Sequence, residues 1–185
     1  MEIVTARLRI DALHREDAEV LYAYRADPAV SRYQSWKPAS VAEAGTFIEA
    51  QQRVTPDTPG SWWQRAIRLR DPAALIGDLG LHFTDAATVE LGITLAPAQH
   101  HHGYAREALE MILDFVFGGL RKHRVFASVD PRNVACVKLL EGLGMRREAH
   151  FRESLRDGDG WADDLVYAML EREWLAAPAD EAGDR

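Results

Sequence analysis

With a single cysteine, Cys136, among 185 residues, the chain cannot form an internal disulfide, and such sparing use fits a reducing compartment, the cytoplasm. It also lacks any apolar run approaching the roughly 20 residues of a membrane span. The opening MEIVTARLRI lacks the basic-then-apolar layout of a secretory leader. Basic charge is scarce as well. Lys and Arg number 22 against 29 Asp and Glu, a net charge of −7, whereas a nucleic-acid partner calls for a basic face. Neither a membrane nor a nucleic acid is therefore expected as partner. No internal repeat is present, and only residues 176–185, AAPADEAGDR, offer almost nothing to bury. Residues 1–175 read as one domain, followed by a flexible tail over 176–185.

What is there is periodicity. Arg7–Leu13 alternates apolar and polar residues as a half-buried strand does, and Glu16–Tyr24 carries apolar residues at helical spacing. Asp27-Pro28 closes that helix, because the residue before proline is pushed out of the α region. Ser40 followed by Glu43 forms a capping box and opens a second helix. Three strands follow, Trp62–Leu69, Leu75–Phe83 and Thr88–Leu95, joined by the short connections of an antiparallel meander. A helix spans Gly103–Phe117 and stops at Gly118-Gly119. Arg124–Val129 is a strand, Val134–Leu143 a short helix, and Met145–Phe151 with Trp161–Leu170 a closing hairpin. The fold class is mixed α/β.

Chemistry concentrates in Thr94–Glu107, where a strand runs through a short loop into a helix that opens at Gly103. The first N–H groups of a helix have no partner inside it, and the macrodipole adds positive character there. Such a place binds phosphate or pyrophosphate, and glycine removes the Cβ that would keep an anion off the backbone. A P-loop string is missing, and a dinucleotide fingerprint would need three glycines early in the chain. Three consecutive histidines, His100–His102, rarely converge on one ion and have no Cys or carboxylate cluster beside them, so no metal is expected.

The string His100-His101-His102-Gly103-Tyr104-Ala105-Arg106-Glu107-Ala108 resembles the Gln/Arg-x-x-Gly-x-Gly/Ala signature of the GNAT N-acetyltransferases, in particular the RimJ/RimL-like branch that acetylates ribosomal-protein N-termini. Thr5-Ala6-Arg7-Leu8, Ile76-Gly77-Asp78, Val89-Glu90-Leu91-Gly92, Asn133-Val134-Ala135-Cys136, Leu143-Gly144-Met145 and the closing Asp163 to Trp174 resemble that branch in order, over roughly residues 5–175. Two departures stand out. Histidines occupy positions where Gln or Arg, and often Gly at 101, would be found, and Cys136 stands where the branch usually has Ser.

The resemblance implies a mostly antiparallel sheet of about seven strands, splayed between its fourth and fifth, with helices on both faces. It implies acetyl-CoA as acyl donor and a primary amine as acceptor, either a peptide N-terminus or a small molecule. The donor would be held by backbone at Ile93, Thr94 and Leu95 and by His100, His101, His102, Gly103, Tyr104, Ala105 and Arg106, with Asn133 and Lys138 as further contacts. Glu90 is the candidate base, often acting through water in this family, and Cys136 or Tyr167 the candidate acid for the departing thiolate. Tyr33 and Trp36 are candidate acceptor-pocket residues. Direct attack of the neutral amine is the expected route, in a monomer or homodimer, and a non-catalytic CoA-binding sensor of the same fold is the alternative. From residue types alone, Asn133 is also a helix N-cap, Cys136 a small helix residue and Tyr167 a core residue. Trp62 and Trp63 point to opposite faces, which makes one of them core.

Overall fold

The computed structural model describes residues 2–34 and 36–176. Its elements are β1 (Ile3–Val4), β2 (Leu8–Asp11), α1 (Ala18–Ala26), α2 (Pro28–Ser31), α3 (Val41–Gln51), β3 (Trp62–Arg70), β4 (Ala73–Phe83), β5 (Thr88–Leu95), α4 (Tyr104–Asp114), β6 (Arg124–Val129), α5 (Val134–Gly142), β7 (Arg146–Asp157), β8 (Gly160–Leu170) and α6 (Glu171–Ala176). One mixed sheet has the order β1-β2-β3-β4-β5-β6-β8-β7. Every neighbouring pair is antiparallel except β5 and β6, which run parallel.

Helices cover both faces because the inner strands are apolar on both. On β3, Ile67 turns toward a core that includes Leu79, Leu81 and the α4 residues Leu109 and Ile112. Its neighbour Ala66 turns the other way, toward Leu21 of α1 and Ala44 and Ile48 of α3. Alternation along a strand produces this split, and burying each Leu or Ile contributes about 1.5–3 kcal/mol. Trp63 lies in the first core at 4% exposure, while Trp62, on the opposite face, is 42% exposed.

Several boundaries differ from the sequence reading. The sheet has eight strands rather than about seven, because the two residues of β1 pair with β2, too short a run to show alternation. Asp27-Pro28 ends α1 but also opens α2: the Asp27 carboxylate accepts from the Ala29 N–H, and Pro28 occupies the first turn, where a missing N–H costs nothing. Ser40 caps α3 as expected, and the Glu43 side chain accepts from the Ala39 N–H at 2.8 Å. After Asp114, α4 widens into a turn over Phe115–Gly119 before the chain leaves it. The second-last strand extends to Asp157 instead of Phe151, since nearly every side chain of β7 is exposed and no buried face imposes alternation. Of the proposed tail, Ala176 closes α6, and residues 177–185 lie outside the described residues. Among the described residues no helix is long and apolar enough to cross a membrane.

Candidate active site

The sheet opens at its parallel joint. β5 is paired with β4 over all but its first residue, from Val89 opposite Phe83 to Leu95 opposite Gly77. Toward β6 it pairs only at Thr88, Glu90 and the residue between, opposite Arg124–Phe126. Beyond Phe126, β6 continues beside β8 as far as Val129. The two strands therefore part at Glu90, leaving the backbone edge of Leu91–Leu95 on one side of a gap. This is the splay between the fourth and fifth strands of the sequence reading, Ile93, Thr94 and Leu95 included. Thr94 Oγ1 is buried and has no hydrogen-bond partner among the described residues.

At the end of β5 the chain turns through Pro97–Gln99 into the loop before α4. The His100 imidazole folds back, its Nε2 lying 3.0 Å from the Leu95 carbonyl. His101 and Gly103 both adopt left-handed backbone, with φ of 65° and 78°. Among the described residues, no backbone N–H from His101 to Arg106 donates to another backbone group. Left-handed residues in such a loop, running into a helix start, form a concave cluster of N–H donors suited to an anion. A Cβ at Gly103 would meet Arg7 Nη2 at 3.4 Å. The Arg106 side chain turns along the helix to Glu110, so only its backbone faces the loop.

The loop is clamped from the far edge of the sheet. Arg7 Nη1 donates to the His102 carbonyl at 2.9 Å, and its guanidinium stacks over the Tyr104 ring at 4.7 Å. Glu107 accepts from Arg7 Nε at 2.6 Å, from the Arg7 N–H at 3.0 Å and from the Thr5 hydroxyl. Burial alone would raise the Glu107 pKa, but the bonds from Thr5 and Arg7 outweigh it and hold the carboxyl below its usual range.

On the other face, β3, β4 and β5 bring Trp62, His82 and Glu90 side by side, His82 lying opposite both of the others. The Trp62 and His82 rings stack at 4.8 Å, 7° from parallel. His82 Nδ1 is 3.1 Å from Glu90 Oε2. Gly80 and Gly92 face each other beside them, and a Cβ at Gly80 would strike the Trp62 ring at 3.0 Å. Further along this face, Asp78 is fully buried and accepts from Tyr24 at 2.6 Å, from Arg25 and from Gln64, which ties α1 to the sheet.

The remaining sequence candidates divide. Tyr33 donates to the Arg132 carbonyl at 3.2 Å, linking the segment after α2 to the β6–α5 loop. Trp36 stacks on Phe47 of α3 at 4.2 Å, with the Arg25 guanidinium over its ring, so it packs into the second core. Asn133 caps α5 by accepting from the Cys136 N–H at 3.2 Å. Lys138 is exposed and makes no ion pair among the described residues. Burial pushes the Cys136 thiol up to about 11. Tyr167 is 1% exposed and donates its hydroxyl to Glu141 at 2.8 Å; burial and that carboxylate raise its pKa. Both groups are thus weaker acids than an ordinary thiol near 8.5.

Sequence reasoning missed His82, Trp62 as its partner, and the Arg7–Glu107 clamp. A turn centred on Ala86 was the available signal for the first, since it places His82 opposite Glu90. The clamp joins residues 100 apart in sequence and carried no local signal. Among the described residues no group of three or more His, Cys, Asp or Glu is placed to hold a metal ion.

Comparison with known proteins gives a consistent result. The profile of the acetyltransferase (GNAT) domain matches residues 7–146. The uncharacterized N-acetyltransferase YnaD of Bacillus subtilis is 30% identical over 175 residues, covering 94% of this chain and 99% of that protein. The crystal structure of a GNAT-family acetyltransferase from Bacillus anthracis superposes with a TM-score of 0.85 at 27% identity, over 94% of this chain and all of that one. The fold is also shared with the spermidine N-acetyltransferase of Vibrio cholerae, solved in complex with CoA and spermine. That likeness has a TM-score of 0.79 at 20% identity and covers 92% of this chain and 99% of that one.

Proposed function

The chain belongs to the acetyltransferase (GNAT) domain family, and from that premise we propose that it is an N-acetyltransferase that moves the acetyl group of acetyl-CoA onto a primary amine. The observation that carries this reading is the junction of two features: strands that part at Glu90, and a loop of free N–H donors at the start of α4. The features fit the proposed donor. Gly103 leaves the helix start bare, Thr94 Oγ1 is an orphaned donor beside the gap, and the edge of Leu91–Leu95 offers backbone partners.

Acetyl-CoA, when bound, supplies an acyl group activated as a thioester. The N–H groups from His101 to Arg106 hold the pyrophosphate, with the Arg7–Glu107 clamp fixing their direction. Free N–H groups of β5 past Glu90 stabilise the negative charge that develops on the carbonyl oxygen. Glu90 and His82, on the opposite face from α4, form the proton-accepting side of the site, because only a neutral amine attacks. With their pKa values raised, Cys136 and Tyr167 both keep their protons at neutral pH, and the departing thiolate takes its proton from one of them, from water or from the attacking nitrogen. Tyr33 borders the acceptor entrance beside Arg132. Within the family, the RimJ/RimL-like motifs favour a peptide N-terminus or small amine as acceptor, in the cytoplasm.

The test is thermal unfolding with acetyl-CoA, CoA, ATP and NAD, followed by thiol release with a panel of amines. A shift with acetyl-CoA and CoA only, together with amine-dependent thiol release, supports the reading. Binding without release would leave a CoA-binding module, and a shift only with ATP or NAD would overturn the assignment of the loop.

A further inference from the structure

We infer that His82 takes the proton from the acceptor ammonium, and that Glu90 acts through it as a positioning residue. The inference rests on the acyltransfer reading and deepens it. His82 Nδ1 lies 3.1 Å from Glu90 Oε2. An ionised carboxylate can only accept, so the hydrogen belongs to Nδ1 and the lone pair is left on Nε2. Among the described residues Nε2 has no partner. The ring is oriented from two sides, by Glu90 within its plane and by the Trp62 indole stacked 4.8 Å away across its face. Gly80 leaves room for Trp62 to lie flat there, since a Cβ at that position would approach its ring to 3.0 Å and Gln64 Oε1 to 2.5 Å.

The dyad stands where the sheet parts, Glu90 being the last residue of β5 paired with β6. Both side chains remain about a quarter exposed, at 25% and 24%, so an acceptor can reach them. An imidazole is intrinsically more basic than a carboxylate, hence closer to the amine it must deprotonate. A neighbouring carboxylate that accepts from Nδ1–H fixes the tautomer and stabilises the imidazolium once formed.

The protons balance. The acceptor ammonium gives one proton to Nε2. The neutral amine then forms the C–N bond as the C–S bond breaks, and the thiolate leaves with the electron pair. The second proton lost by nitrogen ends on that thiolate, giving free CoA thiol, and the imidazolium returns the first to solvent.

Turnover is measured as thiol release from acetyl-CoA with spermine and with a peptide bearing a free N-terminus, and the tautomer by 15N spectra of the imidazole. We expect His82→Ala to lower kcat about 100- to 1000-fold, with the KM for acetyl-CoA within about twofold. Added imidazole should restore at least about tenfold of that loss. Glu90→Gln should cost about tenfold and shift the His82 ring from the Nδ1–H toward the Nε2–H tautomer. His82→Gln guards against misfolding; its acetyl-CoA-induced thermal shift should match the wild type while its turnover is lost. An Nε2–H tautomer in the wild type overturns the proposal. So does a Glu90→Gln loss larger than that of His82→Ala with no rescue by imidazole, which would make Glu90 the base. A wild-type protein that gives neither a thermal shift with acetyl-CoA nor thiol release overturns the acyltransfer reading itself, a result distinct from either of these.

Discussion

His101 holds φ at 65° without being a glycine. A side chain in left-handed backbone costs roughly 1–2 kcal/mol, and glycine there gives back about 0.5–1 kcal/mol through its freer unfolded chain. His101→Gly should therefore stabilise the protein by about 0.5–1 kcal/mol, read as a higher denaturant midpoint at unchanged slope. The proposed pyrophosphate loop needs that backbone shape and not the imidazole, so the thermal shift with acetyl-CoA should survive the change. A loss of that shift would mean that the His101 ring contacts the cofactor. Cys136 presents the opposite case, a residue whose chemistry is muted by its surroundings. With the thiol near 11, about one molecule in a thousand is thiolate at pH 8. Alkylation by iodoacetamide at that pH should run a few hundred times slower than for an ordinary thiol near 8.5, which is roughly one-quarter ionised. Rapid labelling at pH 8, followed by mass spectrometry, would show an ionised, accessible thiol and overturn the effect of burial.

At the scale of elements, the β1–β2 connection and α4 meet through Thr5, Arg7 and Glu107. The Glu107 carboxyl is held below its ordinary value of 4.5, so its contribution to stability is fully present above that pH and is lost as pH falls through the folded value. Arg7 is half-exposed, which limits the ion pair itself to about 0.2–1 kcal/mol; the bonds from the Arg7 N–H and Thr5 hydroxyl add to it. Glu107→Gln should cost about 1–2 kcal/mol at pH 7. The difference between variant and wild type should shrink toward zero in denaturant titrations carried below pH 4. A constant difference down to that pH would mean packing, and not the charge, is what the substitution removes. This clamp also shows where sequence reading ends. The inner strands and α4 were legible because one buried face or two imposed a period on their residues. The exposed ribbon of β7 past Phe151 had no such face, and its length followed from pairing with β8. The Gly103 loop and Glu90 stand out as candidates through their motifs, but the contacts that support them in the structure do not. Arg7 stands 95 residues before the His102 carbonyl it holds, and His82 reaches Glu90 only once the β4–β5 register is known.

For the whole molecule, the parallel joint between β5 and β6 governs what a ligand can do. Only Thr88–Glu90 joins the two halves of the sheet there, so the amides of Leu91–Leu95 that face the gap have no ladder partner on β6. A donor filling the gap would supply partners to that edge and to the N–H groups of His101–Arg106. It would leave the β7–β8 ribbon, at the far edge of the sheet, as it is. At 100 times its dissociation constant, a ligand that binds only the folded state adds about 2.7 kcal/mol. For a chain of this length that is a rise in Tm of about 5–10 °C. Local openings that require the ligand to leave should slow by about 100-fold under the same conditions. Hydrogen exchange followed by mass spectrometry should thus show new protection in peptides spanning residues 91–95 and 101–106, with none over 152–160. Protection confined to other segments would put the acyl donor away from the splay, and the roles given to Glu90, His82 and the loop at Gly103 would lose the geometry on which they depend.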